Sequence, residues 1–121
     1  MIGLVGDSLL GRQLPDRILA LNRLKMWVDA SLHRAINSLD ENRGHASDVA
    51  AELALLLSVG EQHARRVVDL STTLVHRLPE TLAAMESGVV DSYRASKVAA
   101  ATAWLDDSQA RQVDSAVGAS A

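Results

Sequence analysis

The chain has no cysteine in its 121 residues. That absence removes disulfides, thiolate nucleophiles and cysteine zinc sites together, and it fits a reducing cytoplasm, the expected location. Phe is also missing, and Trp27, Trp104 and Tyr93 are the only aromatics. The core must therefore be aliphatic, and three aromatics are too few for a base-stacking single-strand binder. Only two prolines occur, Pro15 and Pro79, which leaves long segments free for helix. An excess of one charge is lacking too: the net charge is −3, which argues against a strongly basic, non-specific nucleic-acid binder but permits a local basic patch. The longest apolar stretch, VAAELALLLSV at 49–59, contains Glu52 and falls well short of the ~20 residues of a membrane span. The start, MIGLVGDSLLGRQLP, has no basic leader and is interrupted by Asp7 and Arg12, so it does not read as a signal peptide. No membrane partner is expected.

What remains is rich in alanine and leucine, 48% apolar, and shows no strand-like alternation. The composition predicts an all-α protein, a compact bundle of five to six helices. Residues 1–14 read as a loose lead-in, 15–118 as one helical domain, and 119–121 as a short tail; the GASA ending of the chain, residues 118–121, looks like a truncation. The first helix is expected from Pro15–Asp16 to about Leu39. Ile18, Leu21, Leu24, Val28, Leu32, Ala35 and Leu39 recur every three or four residues as one buried stripe, widened by Trp27 and Ile36, with Lys25 off it. After a polar loop at 40–47, Ser47 reads as the N-cap of a helix from Asp48 to Leu57. Ser58 and Glu61 have the spacing of a capping box for a third helix ending near Arg77, with Ala64, Val67, Val68, Leu74, Val75 and Leu78 inward. Pro79 starts a fourth, which Gly88 ends in the left-handed region. Asp91 or Ser92 opens a fifth, and Asp106 with Gln109 caps a sixth.

ALLLSVGEQHARRVV, residues 54–68, is the stretch with the most functional content. Ala54, Leu57, Ser58-Val59-Gly60, Ala64 and Val68 match the pattern of a helix-turn-helix, whose small residues let two helices cross closely. The outward side would present Gln62, His63, Arg65 and Arg66, residue types that reach base edges in a major groove. Arg94 and Lys97, on one face of the fifth helix, could extend a basic surface towards double-stranded DNA. The competing reading is a tight structural corner, which needs the same small residues. Arg65, Arg66 and Arg77 are opposed by Glu61 and Asp69, a weak footing where phosphate contacts dominate. The stripe of the first helix has two readings as well: packing within its own domain, or pairing with another copy as a homodimer through helix 16–39.

His33, His45, His63 and His76 have no metal-ligand spacing and read as solvent-facing. The two tryptophans read as core anchors. Asp40-Glu41 and Asp106-Asp107 sit at helix ends and read as caps. No serine has a nucleophile-elbow setting. No catalytic residue, metal site or cofactor is expected.

Several stretches resemble a known family. The LS turn before an A-x-R-V-like helix, the RLP-x-TLAA block at Arg77–Gly88, the R-A-x-x-V of Arg94, Ala95 and Val98, and the L-D-D at 105–107 are similar to domain of unknown function 222, seen in actinobacterial proteins of the 13E12 repeat family. ALNRLKMWVDASL is similar to its first helix, so the likeness spans roughly 16–117. The resemblance implies a helical N-terminal domain that is usually followed by an HNH endonuclease module. No HNH motif occurs in this chain, so no catalytic residue carries over. DNA contact follows by association with the nuclease.

Overall fold

The computed structural model describes the backbone of residues 2–46 and 48–120 and the side chains of residues 11–46 and 48–120. Among the described residues there are six helices and no strand: α1 (Ile2–Asn42), α2 (Val49–Leu57), α3 (Glu61–His76), α4 (Pro79–Glu86), α5 (Ser92–Thr102) and α6 (Asp107–Ser120). The all-α bundle expected from composition is therefore present. Its helix boundaries beyond α1 follow the local signals closely. Pro79 opens α4. Asp91 accepts from the Arg94 N–H at 2.8 Å. Asp106 and Gln109 form the reciprocal capping box, with bonds of 2.8 and 3.2 Å. Gly88 takes φ +78°, and the Val89 N–H returns to the Ala84 carbonyl at 2.9 Å, closing α4 with a left-handed turn. The proposed cap Ser47 lies outside the described residues, and Asp48, which precedes α2, makes no side-chain cap bond.

The first helix departs from expectation in extent and in orientation. It starts at Ile2, so the expected lead-in is helical and Pro15 lies within a 41-residue helix. A proline in a helix loses one hydrogen bond and crowds the carbonyl four residues earlier, at about 3 kcal/mol; here that residue is Gly11, with open space around it. Leu14 and the helix formers that follow carry the helix on through that defect.

The apolar stripe does not face the core. Ile18, Leu21, Leu24, Val28 and Leu32 are 42–65% exposed. The inward face is instead Ala30, His33, Ile36, Asn37 and Asp40, all buried, and it lies against α3 and α4. Ala30 is fully covered because its small side chain admits a close helix approach that a leucine would block. Two apolar clusters result. Ala30 joins Leu74, Leu78, Leu82, Met85, Val90 and Ala95, while Ile36 joins Ala50, Leu53 and Ala64. Leucine and alanine side chains fill these volumes, so neither tryptophan is needed there. Trp27 and Trp104 both stand in solvent, Trp104 at 94%, correcting their reading as anchors. Arg34 and Glu86 form a fork of 3.0 and 2.7 Å between α1 and α4, which holds the Glu86 carboxyl below the usual carboxylate range.

A tertiary cap completes the fold. The buried carboxylate of Asp114, on α6, accepts from the N–H groups of Glu80 and Thr81 at 2.9 and 2.8 Å and from the Thr81 hydroxyl at 2.7 Å. The preceding residue of α4, Leu78, has no capping side chain, so α6 supplies from a distance what the local sequence lacks.

Candidate functional site

The α2–α3 corner forms by a different device from the one its sequence suggests. Ser58 takes the left-handed conformation, φ +55° and ψ +47°, at the end of α2. The Val59 N–H then returns to the Ala54 carbonyl at 3.0 Å, the Schellman arrangement. Gly60, in an extended conformation, precedes α3 without a side-chain cap. The Ser58–Glu61 capping box is therefore not made: Ser58 is spent ending one helix and cannot start the next. The small residues do act as expected. Ala64 is fully buried and Ala54 half-buried at the crossing.

Beyond the corner, Gln62, His63, Arg65 and Arg66 are all exposed on α3. Among the described residues, neither Arg65 nor Arg66 makes a side-chain hydrogen bond or an ion pair. Arg65 borders a cleft of about 660 Å³ between the end of α1, the start of α2 and α3, which also holds Asp40, His45, Asp69 and His76. Arg94 borders a separate, largely apolar cleft of about 220 Å³ with Val89, Val98 and Val117. Lys97 sits 5.2 Å from the Tyr93 ring centroid on its own helix, a cation–π contact. The α3 and α5 cations thus do not line one common groove.

Three histidines serve as ties. His33, expected in solvent, is buried on the inward face of α1. Ser71 donates its one hydroxyl hydrogen to the Val67 carbonyl at 2.8 Å, so the Nδ1–H of His33 donates to Ser71 Oγ, also at 2.8 Å. Burial pushes the His33 pKa below its ordinary 6.5, with Asp29 opposing. His45 pairs with Asp40, and His76 with Glu41 at 2.9 Å, so both bind the end of α1. His63 is exposed. Among the described residues no three His, Cys, Asp or Glu side chains converge as a metal site would require, and no helix is long and apolar enough to cross a membrane.

The largest unpartnered feature is the outer face of α1. Seam positions 14, 18, 21, 25, 28, 32, 35 and 39 alternate in steps of four and three, the spacing of a coiled-coil seam. Seven of the eight carry Leu, Ile, Val or Ala, and the eighth is Lys25. At that level the strict seam position is Lys25, with the stripe's Leu24, 54% exposed, beside it. Residues 11–21 are exposed on every side, and α1 meets the bundle from Asn22 and Arg23 onward, where Asn22 and Lys25 border a cleft with Asp91 and Arg23 lies against Gly88. Comparison with protein-family models, with curated proteins and with solved structures gave no match to this chain.

Proposed function

We propose that this chain is a non-catalytic interaction module that self-associates through the outer face of α1. One observation carries the reading: a seam of coiled-coil spacing whose large members, Ile18, Leu21, Val28 and Leu32, are 42–65% exposed. Soluble proteins rarely leave a continuous apolar strip of this kind open unless a partner covers it. A helix extending beyond its bundle also gains no tertiary support of its own, and a partner helix supplies it. The engagement of His33, His45 and His76 in structural pairs is consistent with a role outside catalysis.

Sedimentation velocity tests this. The wild-type chain should run as a dimer at micromolar concentration, and Leu21→Glu with Val28→Glu should run as a monomer that stays predominantly helical by circular dichroism, losing at most the signal of the projecting part of α1. Each half-exposed side chain contributes about 1 kcal/mol when covered. Four altered positions in a dimer then weaken association by about 4 kcal/mol, roughly a thousandfold. A wild-type monomer at high micromolar concentration overturns the proposal.

A second reading, contact with double-stranded DNA through Gln62, His63, Arg65 and Arg66, draws support from the exposure of all four and from the unpaired state of the two arginines. The resemblance to domain 222, whose members usually precede an HNH nuclease, supports it by association. Arg94 and Lys97 would add phosphate contacts from α5. A mobility shift at low salt that weakens with added salt, and that Arg65→Ala with Arg66→Ala removes, is its expected outcome; no shift at micromolar protein refutes it.

A further inference from the structure

We infer that the partner of α1 is α1 of a second copy running antiparallel, with Leu14 of each chain level with Leu39 of the other. The inference rests on the self-association reading and adds the occupant, its direction and its register. The seam steps from 14 to 39 run four, three, four, three, four, three, four. That series is the same read backwards, so an antiparallel copy fills every position. Ile18 meets Ala35, Leu21 meets Leu32, and Lys25 meets Val28. Upstream, the next seam positions are Gly11 and Asp7, which end the apolar strip where the antiparallel overlap also ends.

A parallel pair fits less well. It places Lys25 against Lys25 inside an apolar seam. Lys25, Asp29 and Asp91 border one small cleft on the same flank of α1. The two-fold axis of the antiparallel pair brings each Lys25 to the acidic flank of the other copy, since Asp29 lies one residue beyond Val28. The side of α1 that holds Ala30, His33 and Asn37 is already buried against its own bundle, so the two bundles lie outside the paired helices. Covering a leucine-sized side chain removes about 60–120 Å² of apolar area, and the exposed seam with its flanks on two chains comes to roughly 1,000 Å², the size at which specific interfaces begin.

The absence of native cysteine permits a direct test in the full chain. Leu21→Cys, Ile18→Cys and Ala35→Cys are prepared singly and incubated in a glutathione redox buffer, alone and in pairs, with sedimentation run in parallel. The expected result is a dimer in which the mixture of Ile18→Cys and Ala35→Cys gives the dominant disulfide-linked product. Leu21→Cys alone stays uncrosslinked, because its two copies lie on the order of 16 Å apart along the axes. A dimer in which Leu21→Cys crosslinks to itself overturns the antiparallel direction and leaves self-association standing. A dimer in which neither pair crosslinks overturns the seam, and a monomer overturns the self-association reading itself. These substitutions sit at positions on the outer face of the single chain, and circular dichroism confirms that each variant keeps its helices.

Discussion

Asp114 is only 1% exposed, and its carboxylate takes three hydrogen bonds from the start of α4. Pro79 holds the first helical position and has no N–H to satisfy. The Leu82 N–H already reaches the Leu78 carbonyl at 3.1 Å. The two donors left over in that turn are those of Glu80 and Thr81, and Asp114 accepts both. Replacement by alanine strands two backbone N–H groups and the Thr81 hydroxyl. Each buried unpaired donor costs about 1–3 kcal/mol. The loss of a helix cap, about 0.5–2 kcal/mol, counts the same bonds and is not added. Asp114→Ala should therefore cost about 3–5 kcal/mol, a large share of the ~5–15 kcal/mol that holds a domain folded. Asp114→Asn keeps the shape but turns an amide N–H₂ towards one of the donors, at about 2–3 kcal/mol. Urea unfolding followed by circular dichroism measures both, with an unchanged m-value as the control. A loss below about 1 kcal/mol for Asp114→Ala would refute the reasoning, because that is less than one buried unpaired donor costs.

Further outcomes follow from single positions. Gly88→Ala puts a Cβ 2.7 Å from Arg23 Cγ and 3.3 Å from Arg23 Cα at a residue with φ +78°. It should cost about 1–3 kcal/mol in the same unfolding assay; a neutral effect would mean that α1 yields at Arg23. Ser58→Gly relieves a left-handed serine and should stabilise by about 0.5–1 kcal/mol, with a loss instead arguing that the serine has an unseen role. His33 has a lowered folded pKa, so the unfolded chain binds the proton more readily. Its contribution is complete above the ordinary value of 6.5 and is lost as pH falls through the lower folded value. The stability difference between wild type and His33→Gln should accordingly shrink on acidification, and a difference constant between about pH 7 and about pH 5 contradicts the assignment.

Much of the fold was legible because it depends on signals a few residues apart. Pro79, Gly88, Asp91 and the Asp106–Gln109 pair marked helix ends correctly, since each acts on backbone groups within one turn. Ala54 and Ala64 marked the corner because a close crossing needs small side chains whatever lies around it. The signals failed where a residue had two possible uses. Ser58 could cap the start of α3 or end α2, and only the direction of the chain through the turn settles which. The site residues Gln62, His63, Arg65 and Arg66 were legible as an exposed set. Their separation from Arg94 was not, since nothing in the sequence states which clefts two helices border.

The sequence by itself determined an all-α chain, most of its helix ends after residue 47, and a periodic stripe on its first helix, because composition and spacing act locally. Only the tertiary structure decided which face of that helix is covered. Periodicity locates an apolar face but carries no information on what meets it, and Ala30 offers the bundle a closer fit than the leucines do. Tertiary structure also decided that Asp114, more than 30 residues from α4, supplies the cap its first turn lacks, and that the stripe through Ile18, Leu21, Val28 and Leu32 stays open to solvent.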